Sequence, residues 1–289
     1  MTASTPGSRR SSVDHHDGVP STRQSRARKA WPLWCSELVG TALLVAVGCS
    51  LVILDFGTGS PLVALVPGAG ARRALTGFLF GSVGALIALS PVGKVSGAHI
   101  NPAVTLAFWL EHRIKTQVAL GYLVAQVAGG ILGACALRVW GTMGASVAYA
   151  STTPGAAGPW MATLGEAGAT FCLIAGLFVF LGHSRLRGFT PALFPFLYAL
   201  LVWTEAPLSG TSTNPARSLG PGIVAGALPG WWVYWLGPIL GTVAGVAVRR
   251  APWARSLEIR VAKVFHFSHD PTGLFTEASA PPRRPASEA

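Results

Sequence analysis

The sequence predicts an all-α membrane protein, with six transmembrane helices and two half-helices arranged as an inverted repeat. Three observations predict it. Apolar residues make up 51% of the 289-residue chain and charged residues only 11%, against roughly 25% charged in soluble domains. The apolar residues fall into six runs close to the length of about 20 residues that a spanning helix needs, and two shorter ones. Both short runs open with the same tripeptide, and the order of long and short runs recurs in the two halves. The composition argues against a soluble globular enzyme. It also excludes disorder over most of the length, because disordered chains are poor in apolar residues. The 35 glycines and 21 prolines suit membrane helices, where both are commoner than in soluble ones.

Residues 1–30 are rich in Ser, Arg and Pro and read as a disordered basic tail. A membrane domain is expected over 31–250, with repeat one about 31–140 and repeat two about 160–250. The first span covers 34–54, the second 74–92, and a short apolar piece covers 101–110. The third span covers 115–140, the fourth 161–182 and the fifth 189–207. A second short piece covers 214–223, the sixth span 231–248, and a polar C-terminal tail 251–289.

The formal net charge of +11 is concentrated at the two ends. Arg9, Arg10, Arg23, Arg26, Arg28 and Lys29 form one group, and Arg249, Arg250, Arg255, Arg260 and Lys263 the other. With no aromatic-studded soluble domain beside them, they do not indicate a nucleic-acid partner. They mark the cytoplasmic side by the positive-inside rule. Arg113, Lys115, Arg185 and Arg187 fall on that same side, and the loop over 141–159 carries no charge. The expected topology is therefore a multi-pass plasma-membrane protein with both termini cytoplasmic. Arg72 and Arg73, on the outer side, depart from the pattern.

Cys35, Cys49, Cys135 and Cys172 lie in apolar stretches without CxxC spacing and read as small core residues. His266 and His269 lie in the tail, where a solvated segment is a better reading than a metal site. No cofactor or metal is expected.

The two halves match in detail. Glu37-Leu-Val-Gly-Thr41 opens span one, and Glu166-Ala-Gly-Ala-Thr170 lies early in span four. Asn101-Pro-Ala103 follows span two, and Asn214-Pro-Ala216 follows span five. Three spans per half is an odd number, so the halves insert with opposite orientation, as in several transport folds. A helix of about ten residues is about 15 Å long, half of the ~30 Å hydrocarbon core. Two such pieces meeting from opposite sides make one span, and irregular backbone at that depth requires enclosure by protein or a watery cavity.

Asn-Pro-Ala suits that junction. Asn caps a helix N-terminus, Pro is favoured at the first helical position, and Ala allows close approach. Two positive dipole ends then face each other at the bilayer centre and repel cations. The asparagine amides donate to a passing oxygen and orient a water against proton relay.

These residues resemble the aquaporin, or major intrinsic protein, family. The resemblance rests on Ser96-Gly-Ala-His-Ile-Asn-Pro-Ala-Val-Thr105 and Gly210-Thr-Ser-Thr-Asn-Pro-Ala-Arg-Ser-Leu-Gly-Pro221. Gly121-Tyr-Leu-Val-Ala-Gln126 and Tyr234-Trp-Leu-Gly-Pro238 support it. It covers about residues 32–250 and implies a right-handed six-helix bundle, one pore per chain and a homotetramer in the membrane lipid. It implies that Asn101, Pro102, Ala103, Asn214, Pro215 and Ala216 form the pore junction. Arg217 would line the narrowest point. Glu37 and Glu166 would brace the half-helix loops, with His99 making a structural bond there.

The family's narrow ring takes three further residues, which ungapped counting places at Gly81, Val202 and Thr211. Water-selective relatives usually carry an aromatic and a His at the first two, so the expected ring is wider and less polar. A register shifted by one would put Phe80 there instead. Ser218 after Arg217, where glycerol-conducting relatives usually carry Asp, and Tyr234-Trp235 point toward water. Lys94 replaces a His common at the inner mouth.

The function expected from the resemblance is passive conduction of water and small uncharged solutes, excluding protons and ions. A facilitator of glycerol or other small neutral solutes is the alternative. A coupled transporter would need intramembrane carboxylates lining a central site; Glu37 and Glu166 are the only candidates, and they fall near the starts of spans. No HExxH or GxSxG motif supports an enzyme.

Overall fold

The computed structural model describes residues 22–254, 257, 259 and 262–265. Most of the expected N-terminal tail, His266, His269 and much of the C-terminal tail lie outside the described residues. The elements are α1 (Thr22–Phe56), α2 (Pro61–Leu65), α3 (Ala69–Leu89), α4 (Pro91–Ser96), α5 (Pro102–Leu110) and α6 (Thr116–Ala136). They continue as α7 (Gly141–Ala145), α8 (Pro159–Gly182), α9 (Thr190–Ser209), α10 (Pro215–Ala225) and α11 (Val233–Arg250). No strand occurs among the described residues. The first helix starts at Thr22, so the last residues assigned to the N-terminal tail are helical.

Among the described residues, five stretches are long and apolar enough to cross a membrane: Ala30–Phe56, Ala69–Leu89, Thr116–Ala145, Pro159–Gly182 and Arg187–Ser209. The sixth long helix, α11, has 18 residues, or about 27 Å of rise. Arg249 and Arg250 occupy its last turn. They pair with Glu111, at 3.1 and 3.0 Å, at the C-terminal end of α5. Cations there complement the negative end of the half-helix dipole.

The helices pack as α1 with α6, α8 with α11, and α3 with α9 across the two halves. Glycines set these contacts. A Cβ at Gly129 or Gly133 in α6 would strike the carbonyls of Leu38 or Ala42 in α1. The Gly129-xxx-Gly133 pair thus closes a contact within the chain, as small residues do between membrane helices. The outer surface is apolar, with Val39, Leu86, Leu120, Val124, Leu164 and Phe196 all exposed. A soluble monomer rarely shows so extensive an apolar surface; hydrocarbon is its fitting solvent. Cys49 is buried, but Cys35, Cys135 and Cys172 are exposed, so three of the four expected core thiols stand on the outside.

Arg72 and Arg73, out of place by the charge pattern, have local roles. Arg72 lies over the Phe56 ring and donates to the Val66 and Pro67 carbonyls at the start of α3. Arg73 lines a large cavity at the mouth away from the chain termini. At the termini end, residues 262–265 fold back against the bundle. The Val264 amide donates to the Gly97 carbonyl at 3.0 Å, and Ala262 and Val264 are buried.

Candidate functional site

The two half-helices meet head to head. Asn101 caps α5, its Oδ1 accepting from the Ala103 amide at 2.8 Å. Asn214 caps α10, its Oδ1 accepting from Ala216 and Arg217 amides at 3.1 and 3.3 Å. Pro102 and Pro215 hold the first helical positions, where a missing N–H costs nothing. The side-chain amides then cross. Asn101 Nδ2 donates to the Thr213 carbonyl, and Asn214 Nδ2 to the Ile100 carbonyl, both at 2.9 Å. Each asparagine so braces the loop of the other. Each keeps a second N–H, and both asparagines line one narrow cavity of about 50 Å³ with His99, Tyr198 and Phe80.

The loops entering the half-helices are strained alike. Ala98 and Ile100 have φ of 54° and 41°, and Thr211 and Thr213 have 51° and 52°. Positive φ is rare outside glycine, and for β-branched residues it is a true outlier. Two carboxylates hold this backbone. Glu37 Oε1 accepts from Ser96 Oγ at 2.6 Å and the His99 amide at 2.9 Å. Its Oε2 accepts from the Ile100 amide at 2.6 Å and Gln126 Nε2 at 2.7 Å. Glu166 Oε1 accepts from Ser209 Oγ at 2.7 Å and the Ser212 amide at 2.6 Å. Its Oε2 accepts from the Thr213 amide at 2.7 Å. Tyr122 and Tyr234 add matching bonds to the Ser96 and Ser209 carbonyls, each at 2.7 Å.

His99 is fully occupied. Nε2 meets the Ala262 carbonyl at 2.9 Å and Nδ1 meets Thr105 Oγ1 at 3.1 Å. A carbonyl only accepts, so Nε2 carries the proton and Nδ1 accepts from Thr105. Its ring stacks on Phe108, with centroids 4.8 Å apart.

Beyond the junction lies a cavity of about 420 Å³, lined among others by Arg217, Thr211, Val202, Phe80, Tyr198 and Arg73. Arg217 is 5% exposed. Its Nη1 donates to the Ala150 carbonyl at 2.8 Å, and its guanidinium carbon lies 5.6 Å from the Phe80 ring centroid. That is cation–π range. The uncharged loop over 141–159 thus folds in to anchor the arginine, which the sequence did not foretell.

Arg217, Thr211 and Val202 line this one cavity. Gly81 does not join them. It lines the narrow cavity, and a Cβ on it would collide with the Phe194 carbonyl of α9. Phe80 stands by Arg217 instead. Two acidic residues also went unnoticed in the sequence. Glu205, in α9, and Asp55, near the end of α1, are both buried, so Glu37 and Glu166 are not the only intramembrane carboxylates. A carboxylate within an apolar run is itself the missed signal. Asp55 accepts from the Thr76 hydroxyl, and Glu205 from Thr211. Among the described residues no His, Cys, Asp and Glu cluster suits a metal ion.

Residues 24–248 match the family model described as Major intrinsic protein. The chain is 31% identical over 223 residues to Aquaporin-8 of Rattus norvegicus, covering 74% of this chain and 78% of the relative. It is 34% identical over 206 residues to the lens fiber major intrinsic protein of Gallus gallus, covering 68% and 74%. In fold it resembles the aquaglyceroporin from Plasmodium falciparum, with a TM-score of 0.64 and 18% identity, over 80% of this chain and all of that one. The head-to-head half-helices and these matches agree: the chain belongs to the major intrinsic protein family.

Proposed function

We propose that the chain conducts water, and more slowly small uncharged solutes such as glycerol, past the paired asparagines and a ring of Phe80, Val202, Thr211 and Arg217. Membership of the family makes it a passive membrane channel for water or small solutes, and not an enzyme. The observation that carries the finer reading is the crossed pair Asn101–Thr213 and Asn214–Ile100, which sets two capped helix N-termini against one cavity.

Selectivity follows from charge and size. Two positive helix ends and the Arg217 guanidinium repel cations, hydronium included. The asparagine amides donate to a passing oxygen, which favours a water orientation that does not relay protons. With Phe80 in the ring, the aromatic that Gly81 would have removed is restored. Val202 still leaves an apolar wall where water-selective relatives carry His, so neutral solutes larger than water pass. Glu37, Glu166 and His99 act as scaffold for the half-helix loops. We place the protein in the plasma membrane as a homotetramer in lipid, with both termini cytoplasmic.

Stopped-flow swelling of proteoliposomes tests this, with water and with glycerol. Wild-type vesicles should swell much faster than empty ones, and an ionophore that collapses ion gradients should change nothing. Val202→His should lower the glycerol-to-water ratio severalfold. Swelling no faster than that of empty vesicles would reject the channel, and an unchanged ratio would remove Val202 from the ring.

A further inference from the structure

The two half-helix loops are built on the same plan except at one corner. In repeat two that corner holds Gly165, Glu205 and Thr211. At the equivalent positions repeat one has Ser36, Val92 and Ala98. The three exchanges are mutually dependent in space. Glu205 Oε2 accepts from Thr211 Oγ1 at 2.5 Å. A Cβ on Gly165 would collide with Glu205 Oε1, so the bare glycine makes the room for the carboxyl group. Glu205 is 7% exposed, and its Oε1 has no hydrogen-bond partner among the described residues. In repeat one, Ser36 fills that space; its hydroxyl donates to the Val92 carbonyl at 2.5 Å and lies 2.9 Å from Ser96 Oγ. Ala98 has no hydroxyl to hold. Glu205 therefore lies outside the scaffold that both loops share, and it serves the one loop whose side chain lines the wide cavity beside Arg217.

We propose that Glu205 is a positioning residue that sets the hydrogen-bonding polarity of the ring. A threonine hydroxyl has one proton and two lone pairs. With its proton given to Glu205, Thr211 offers passing molecules only an acceptor. Across the cavity Arg217 offers only donors. Phe80 and Val202 offer neither. The ring then favours neutral solutes that carry both a hydrogen-bond donor and an acceptor: alcohols, polyols and amides of the urea type. Water satisfies either group by turning, so it depends less on the pair. This inference rests on the reading that Thr211 belongs to the ring.

The test is a set of variants in proteoliposomes, read as the glycerol-to-water and urea-to-water permeability ratios. Thr211→Val should lower both ratios about threefold or more, the equivalent of one neutral hydrogen bond. Glu205→Met, which keeps the length and frees the Thr211 hydroxyl to donate as well as accept, should lower them by less, because the oxygen and its lone pairs remain. Glu205→Gln, whose carbonyl still accepts, should restore ratios near wild type. The Glu205→Met, Thr211→Val double variant should equal Thr211→Val alone, because Glu205 acts only through the Thr211 hydroxyl. Gly165→Ala displaces the carboxyl group from the other side and should match Glu205→Met, which keeps the test open if that variant fails to fold. Unchanged ratios in Thr211→Val would remove Thr211 from the ring, and this inference with it. Changed ratios there, with Glu205→Met and Gly165→Ala silent or additive, would overturn the role of Glu205 alone.

Discussion

The loops of the two repeats hold their half-helices by the same means and end on different supports. In repeat one a directed chain of donors runs from Gln126 to Thr105 at 2.9 Å, to His99 at 3.1 Å, and to the Ala262 carbonyl at 2.9 Å. In repeat two the matching chain runs from Thr152 to Ser218 and on to Ser212, each at 2.6 Å, and then to the Asn214 carbonyl at 2.8 Å. One loop is thus tied to the C-terminal segment, the other to the long connection before α8. Glu37 gathers four donors and Glu166 three, because Gln126 of repeat one has Pro238 as its counterpart. The difference separates what any such junction requires from what tunes it. A carboxylate, a tyrosine and a capping asparagine recur. Histidine, Glu205 and the supporting segments do not, and they are where the two mouths diverge.

The largest effect should come from the recurrent carboxylates. Glu37→Gln and Glu166→Gln each turn an acceptor into a donor facing donors. In Glu37→Gln two donors lose their partner oxygen, Ile100 N and Gln126 Nε2; in Glu166→Gln only Thr213 N does. At about 1–3 kcal/mol for each unsatisfied buried group, Glu37→Gln should lower the melting temperature in detergent the more. Equal losses would mean that Gln126 contributes no net stability.

Next in size is the contrast between neighbours in α3. Gly81→Val should sharply reduce the yield of folded protein, since its side chain has only the α9 backbone to enter. Phe80→Ala should fold and raise the glycerol-to-water ratio severalfold by opening the ring. If instead Gly81→Ala folds normally and alters the ratio, the helix is rotated from the position described.

The smallest effect concerns the termini end. Removing residues 257–289 deletes Ala262 and Val264 and leaves the His99 Nε2 proton without its carbonyl. A melting temperature lower by a few degrees and faster water flux are expected, with the glycerol-to-water ratio unchanged, because the ring lies beyond the asparagines. A changed ratio would show that the two mouths do not act separately.

Much of this was legible in the residues. The paired Asn-Pro-Ala motifs announced capped half-helices because capping chemistry is local: asparagine oxygen, proline φ and small alanine act within three residues. Glu37 and Glu166 stood out because carboxylates in apolar runs are costly without partners. Glu205 meets the same criterion but has no acidic counterpart in the other half, where Val92 stands, so the repeat does not mark it. The anchoring of Arg217 by Ala150 could not be read, since a backbone carbonyl leaves no mark in side-chain sequence.

By itself the sequence determined the class, the span order, the inverted repeat and the family, all properties of pattern along one chain. Only the tertiary structure decided which of Phe80 and Gly81 meets Arg217, which glycines serve packing, and what the termini cover. The reason lies in the solvent. A helix in lipid is apolar toward its neighbours and toward hydrocarbon alike, so the 3.6-residue period that marks a buried face in water is faint here. Its rotation is set by backbone approach to neighbouring helices, such as Gly81 on Phe194, and that is a property of the assembled bundle.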